Sequence, residues 1–367
     1  MKKQNRRRFI KRSAAAVIVA PFLSTAVTRA LAQAAEKKIG FALCGLGSLN
    51  TNQIAPALPK TKHCRLAGII TGTPAKAERW KAQYNIPDRN IFNYDTMSRL
   101  ADSPDIDVVY VVTPNALHAD HTIKAAKAGK HVLCEKPMEA TPEKCQQMID
   151  ACKAAGRMLA IGYRCQFDPN HLECMRLARE KVFGSLKIVE AGFCIHLGDP
   201  TQWRLKKALA GGGALMDVGI YALQATRYLT GEEPILVSGT ETKTDAEKFK
   251  EVDESIVWEE KFPSGVIANC ATSYNTGSIG HFTAIAERGA FGMDPAFNYN
   301  GNHGRRSDNQ EINQPPLDQF AAEMDDFAEC ILNQRPTKVP GEEGLRDVKL
   351  MMAIYESIKT GRPVKTA

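Results

Sequence analysis

The chain of 367 residues is 44% hydrophobic and 24% charged, enough apolar material for a large core and a length that suits two domains. Its formal charge of +7 gathers at the start, where Lys2, Lys3, Arg6, Arg7, Arg8, Lys11, Arg12 and Arg29 occur before residue 35 with no acid among them. The remainder carries a formal −1, so neither nucleic acid nor an anionic membrane surface is an expected partner.

Residues 1–34 read as a targeting signal. A basic stretch to Arg12 is followed by an apolar run from Ala14 to Val27 and by the small residues Ala30, Ala32 and Ala34, which suit a signal peptidase. The run is too short for a permanent membrane span. Asn5-Arg6-Arg7-Arg8-Phe9-Ile10-Lys11 resembles the twin-arginine motif, so the expected partner is the twin-arginine export machinery, the destination the periplasm, and the cargo a protein folded before export. All ten cysteines follow this segment and none shows a CxxC or other metal-like spacing. Buried thiols are expected, with no disulfide framework and no metal.

The next region, 35–162, alternates short runs rich in Val and Ile with helical patterns, as expected of βαβ units and a parallel sheet. Strands are expected at Ile39 to Leu43, Leu66 to Ile70, Val108 to Val112, Val132 to Cys134 and Met158 to Ile161. Helices are expected at Pro74 to Tyr84, Ala119 to Ala128 and Pro142 to Ala155, with Thr73 and Thr141 as N-caps and Gly129 and Gly156 as C-caps. Region 163–367 reads differently: a helix at Asn170 to Glu180, a long strand at Leu186 to His196, a glycine turn at Gly211 to Gly213 and a helix to Leu229. Consecutive strands such as Ser255 to Phe262 and Val266 to Ser273 follow, then helices near Gln319 to Asn333 and Glu342 to Thr360. The fold class is therefore α/β, a Rossmann dinucleotide-binding domain followed by an α+β domain with an open, mostly antiparallel sheet. The Asn-rich stretch from Asn298 to Gln314 is the expected loop.

Gly45-Leu46-Gly47-Ser48-Leu49-Asn50 closes the first strand as a G-x-G-x-x-N form of the dinucleotide fingerprint. Gly45 and Gly47 permit a tight turn and close approach of backbone amides to a pyrophosphate. No acid occurs from Lys60 to Pro74, where an NAD enzyme places a carboxylate for the ribose hydroxyls; Thr71, Thr73 and Lys76 instead offer donors to a 2′-phosphate, favouring NADP. The fifth strand ends in Glu135-Lys136-Pro137, at the sheet edge where such proteins bind ligands, and Lys136 there suits polarising a hydroxyl. Asp217 and Tyr221, at i and i+4, are expected to face the same way, a phenol positioned by a carboxylate as general acid and base.

Together with Ile161-Gly162-Tyr163-Arg164, Gln202-Trp203-Arg204-Leu205, Gly211 to Tyr221 and Gly341-Glu342-Glu343-Gly344, these residues resemble the Gfo/Idh/MocA oxidoreductase family, in particular the glucose-fructose oxidoreductase group, over nearly the whole mature chain. The wider family commonly has His at the position of Tyr221, and Tyr marks a smaller group that includes the NADP-dependent dihydrodiol and xylose dehydrogenases. The resemblance implies an enzyme with Tyr221 as proton donor and acceptor, assisted by Lys136 and Asp217. It places Ser48, Leu49, Thr71, Lys76, Tyr94, Asn115, His118, Glu135, Arg164, Trp203, Arg204 and Tyr299 near NADP, Thr71 replacing a Ser at the phosphate. The implied reaction oxidises an aldose at C1 to a lactone and reduces a second sugar carbonyl with the same retained cofactor; a simple aldose dehydrogenase with exchangeable NADP is the alternative. The long Pro-rich arm that clasps a neighbouring subunit in that group has no counterpart before Ile39, so a homodimer packed through the second sheet is expected.

Overall fold

Six short apolar runs pair side by side into one parallel sheet: β1 (Ile39–Cys44), β2 (Cys64–Ile70), β3 (Ile91–Phe92), β4 (Val108–Val111), β5 (His131–Glu135) and β6 (Leu159–Gly162), in the order β3-β2-β1-β4-β5-β6. This is the doubly wound Rossmann order, and β1, β4 and β6 are buried at every residue because helices cover both faces. The computed structural model describes residues 38–366, so the segment read as an export signal lies outside the described residues.

The crossover helices α1 (Pro74–Tyr84), α2 (His118–Lys127) and α3 (Pro142–Ala154) fall close to their expected places. Thr141 caps α3 by accepting from the Lys144 amide at 3.4 Å, whereas Thr73 makes no cap bond, and Thr71 Oγ accepts from the Thr73 amide at 3.3 Å instead. The two-residue strand β3 lies outside the expected set, since Ile91-Phe92 is too short to show a period of two.

Beyond α4 (Pro169–Arg179), strand β7 (Leu186–His196) becomes the spine of a nine-stranded sheet. α5 (Ile220–Thr230) packs on β7. Strands β8 (Leu236–Thr242), β9 (Ser255–Lys261), β10 (Ile267–Ser273), β11 (Asn275–Ala286) and β12 (Gly289–Met293) join it, antiparallel to their neighbours except for the parallel pair β7 and β10. The Asn-rich stretch is more than a loop. It carries β13 (Gly304–Arg306) and β14 (Glu311–Ile312), which extend the sheet at one edge, because Arg305 and Arg306 pair with Gly292 and Phe291.

The chain then turns back to the first sheet. α6 (Gln319–Asn333) packs against β2, and the Val339 carbonyl accepts from the Ile161 amide at 2.9 Å before α7 (Gly341–Thr360) lies along α3. β15 (Val364–Lys365) then pairs with β8, so the C-terminal segments tie the two sheets into one compact unit. Among the described residues no helix is long and apolar enough to cross a membrane, and all ten cysteines are buried.

Candidate active site

A cavity of about 920 Å³ follows the carboxyl ends of β1, β2, β4 and β5 and is walled on its other side by Phe193, Ile195 and Leu197 of the second sheet and the turn after it. Its size is that of a cofactor cleft. The dinucleotide-turn residues Gly45, Gly47, Ser48 and Leu49, the ribose-end residues Thr71 and Lys76, and Tyr94, Asn115, His118, Glu135, Lys136, Arg164, Trp203, Arg204, Asp217, Tyr221 and Tyr299 all line it. Residues scattered over some 250 positions of sequence thus line one cavity.

The glycine turn is shaped by backbone need. Gly45 has φ +90°, and a Cβ there would lie 2.7 Å from the Val112 carbonyl oxygen, so no other residue fits without strain. At Gly47 a Cβ would meet nothing within 4 Å; it would project into open space at the cleft, which glycine leaves free for a ligand. Asn50, where the fingerprint usually ends in Gly or Ala, is fully buried and donates from Nδ2 to the Gly45 carbonyl at 2.8 Å. It locks the turn from beneath.

Around the rest of this wall, several polar groups are already engaged. His118 is buried, its Nε2 2.7 Å from the Thr113 carbonyl oxygen and its Nδ1 3.0 Å from that of Pro137, so the ring braces the segment carrying Lys136. The Asn115 amide donates to the Ala210 carbonyl at 2.9 Å, and the Tyr94 ring stacks on His121 at 4.6 Å.

At the other end the helix carrying Asp217 and Tyr221 is fixed by its glycines. The Gly213 and Leu215 amides donate to the Asp253 carboxylate at 2.6 and 2.8 Å, and a Cβ on Gly213 would strike the Asp253 backbone oxygen at 2.1 Å. The spacing of Asp217 and Tyr221 does not put carboxylate on phenol. Residues Leu215–Gly219 form a π-helical turn, which departs from the α-helical register on which that expectation rested. Asp217 accepts instead from Arg204 Nε at 2.7 Å and from the Tyr274 hydroxyl at 2.9 Å, and its Oδ1 lies 3.4 Å from Lys136 Nζ. Burial alone would raise its pKa, but Arg204 and Lys136 together hold the carboxyl well below the usual carboxylate range.

The phenol has a cationic partner of its own. Arg164 Nε donates to the Tyr221 hydroxyl oxygen at 3.1 Å, and Lys136 Nζ lies 4.6 Å from the centre of the same ring. Burial pushes the phenol up while Arg164 opposes it, so the resting group holds its proton beside two cations that favour its loss. Arg164 is itself only 3% exposed; its other donors go to Gln319 Oε1 and to the Asn298 and Phe297 carbonyls. Sequence reasoning placed Arg164 at the cofactor and missed its hold on Tyr221, and it missed Tyr274 and Asp253 altogether, for which no local motif exists. Arg204, also assigned to the cofactor, has its guanidinium committed to Asp217 and stacked 4.7 Å from the Trp203 ring. Among the described residues no group of three or more His, Cys, Asp or Glu side chains is arranged to hold a metal ion.

The chain is similar to known proteins over most of its length. An aldose-aldose oxidoreductase from Caulobacter crescentus, solved with glycerol, superposes with a TM-score of 0.85 at 42% identity, covering 90% of this chain and all of that one. The D-xylose 1-dehydrogenase [NADP(+)] of Haloarcula marismortui is 31% identical over 340 residues, 90% of this chain and 94% of that protein. A second D-xylose 1-dehydrogenase (NADP(+)), from Haloferax volcanii, is 28% identical over 332 residues, 89% of this chain and 99% of its own. Residues 39–163 match the NAD-binding Rossmann-fold model of the Gfo/Idh/MocA oxidoreductase family and residues 176–366 match its C-terminal alpha/beta domain. The chain is an oxidoreductase and belongs to the Gfo/Idh/MocA family.

Proposed function

We propose that the chain is a periplasmic, NADP-dependent sugar oxidoreductase that oxidises an aldose at C1 to the aldonolactone and reduces a second sugar carbonyl with the same retained cofactor. The observation that carries the reading is Tyr221 at the cleft, its hydroxyl bonded to Arg164 and its ring beside Lys136, opposite a glycine turn with space for a pyrophosphate. The cleft fits a dinucleotide: Gly45, Gly47, Ser48 and Leu49 would cradle the pyrophosphate, Thr71 and Lys76 the 2′-phosphate, and no carboxylate stands between Lys60 and Pro74 to repel it. The relatives named for aldose and NADP(+) chemistry support the same choice.

When bound, the nicotinamide supplies the hydride acceptor and donor. Once its resting proton has been lost to solvent beside Arg164 and Lys136, which stabilise the phenolate, Tyr221 Oη takes the C1 hydroxyl proton during lactone formation and returns that proton to the oxygen of the second carbonyl. Asp217 holds Arg204 and Lys136 in place rather than touching the phenol. The twin-arginine-like segment supports retention, since the periplasm is not expected to supply free nicotinamide. A second reading, an aldose dehydrogenase that exchanges NADP, is favoured by the names of the haloarchaeal relatives. The second sheet, with Val257 of β9 55% exposed, is proposed to pair two copies. To separate the two enzymatic readings, the protein is exhaustively gel-filtered and given an aldose with a second carbonyl sugar. Aldonic acid is expected without added nucleotide, and formation only after NADP is added rejects retention.

A further inference from the structure

Beneath the cleft, Tyr110 of β4 joins two glutamates. Its hydroxyl oxygen lies 2.8 Å from Glu135 Oε1 at the end of β5 and 2.8 Å from Glu323 Oε1 on α6. The three side chains are nearly closed to solvent, at 0%, 7% and 1% exposure for Tyr110, Glu135 and Glu323. A phenol has one hydrogen and can donate to one of these oxygens; the second short contact needs another proton, carried by a carboxyl group. Glu135 opens onto the cleft next to Lys136, with room made by Gly162, where a Cβ would sit 3.0 Å from its Oε1. Glu323 is deeper and its Oε2 has no hydrogen-bond partner, a site that tolerates a neutral acid far better than an anion.

We infer that Glu323 is a neutral acid that donates to Tyr110, that Tyr110 donates to Glu135, and that the pair are positioning residues holding Glu135 as the one carboxylate of the trio, at the cofactor cleft. Burial and the mutual repulsion of the two carboxyls favour this sharing; Arg164 acts on both carboxyls, and Lys136, next to Glu135, favours the charge there. A fixed anion at the cleft stabilises the oxidised, cationic nicotinamide over the reduced, neutral one. This last step rests on the NADP reading above; the proton on Glu323 does not.

Two measurements test it. Infrared spectra of nucleotide-stripped protein should lose one protonated-carboxyl C=O band in Glu323→Gln; an unchanged carboxyl region overturns the assignment. Equilibrium dialysis with NADP+ and NADPH should give Glu323→Gln the wild-type ratio of dissociation constants, because an amide N–H replaces the acid O–H. Tyr110→Phe, checked for folding by circular dichroism, removes the donor to Glu135 and should shift that ratio about 10-fold toward NADPH, equivalent to about 1.4 kcal/mol. An unchanged ratio in a folded Tyr110→Phe that binds both nucleotides overturns the positioning role. A wild-type protein that binds neither nucleotide sinks the NADP reading instead, and the infrared band still decides the proton.

Discussion

The two ends of the cleft are built from different materials. At the glycine-turn end the groups facing the cavity are backbone and hydroxyls: Gly45 at φ +90°, the open face of Gly47, Ser48 and Thr71, with the half-buried Lys76 as a nearby charge. At the Tyr221 end, buried ions crowd together. Arg164 ties Tyr221 to Gln319, whose amide donates to Asp168 at 2.7 Å, and Asp168 pairs with His171 at 3.1 Å, while Asp217 gathers Arg204, Lys136 and Tyr274. A pyrophosphate of fixed shape needs amides that approach closely. A proton that must leave and return needs cations whose field is strong because water is excluded. Loss of a single group should therefore be mild at the first end and severe at the second.

The most severe case is Tyr221→Phe. Turnover is expected to fall by about 10²- to 10⁴-fold with nucleotide affinity changed little, since one hydroxyl is lost and the ring packing on Phe193 and Phe297 remains. Steady-state rates alongside nucleotide dissociation constants check this, and near-normal turnover would hand the proton to another group. Next comes Asp217→Ala, which strands Arg204 and Lys136 without their carboxylate. A loss of about 3–5 kcal/mol is expected in urea denaturation, and a loss below ~1 kcal/mol would make this network dispensable.

His171 gives a smaller, pH-dependent effect. Burial works against its charge, but Cys165 and Asp168 hold its pKa up at about 9, above its ordinary 6.5. The folded protein keeps a proton that the unfolded chain releases, so this stabilisation is complete below pH 6.5 and disappears as pH rises through about 9. The stability gap between wild type and His171→Gln, on the order of 2–3 kcal/mol near pH 6, should close by about pH 10; a gap that widens with pH contradicts the assignment. Mildest is Thr71→Ala, at the other end. Preference for NADP over NAD should drop by roughly 10-fold, about 1.4 kcal/mol, with affinity for NAD unchanged; equal losses for both would place Thr71 away from the 2′-phosphate.

What could be read from the chain before its structure divides along the same line. The glycine turn, its strand and Glu135-Lys136 are local: strand, turn and helix follow within a few residues, so periodicity and glycine placement suffice. The ionic end is assembled from distant segments. Tyr221 and Arg164 are 57 residues apart and Tyr110 and Glu323 are 213 apart, and no spacing rule reaches across either interval. Even the local rule failed where the helix is irregular, since the π turn at Leu215–Gly219 sends the Asp217 carboxylate to Arg204 rather than to Tyr221. The Asn-rich stretch misled for a related reason. Its polar residues serve tertiary bonds, Asn302 Nδ2 donating to Asp168 at 3.3 Å and to the Asn298 carbonyl at 2.9 Å, while Gly304–Arg306 completes a sheet edge that composition does not reveal.

In the proposed function both ends act on one cofactor that stays in place between two sugars. Absorbance of the gel-filtered protein tests it most directly. On adding an aldose alone, the band of reduced nicotinamide should appear at up to one equivalent per chain without added nucleotide, and it should vanish when a second carbonyl sugar follows. A spectrum that stays unchanged until free NADP is supplied would contradict the account.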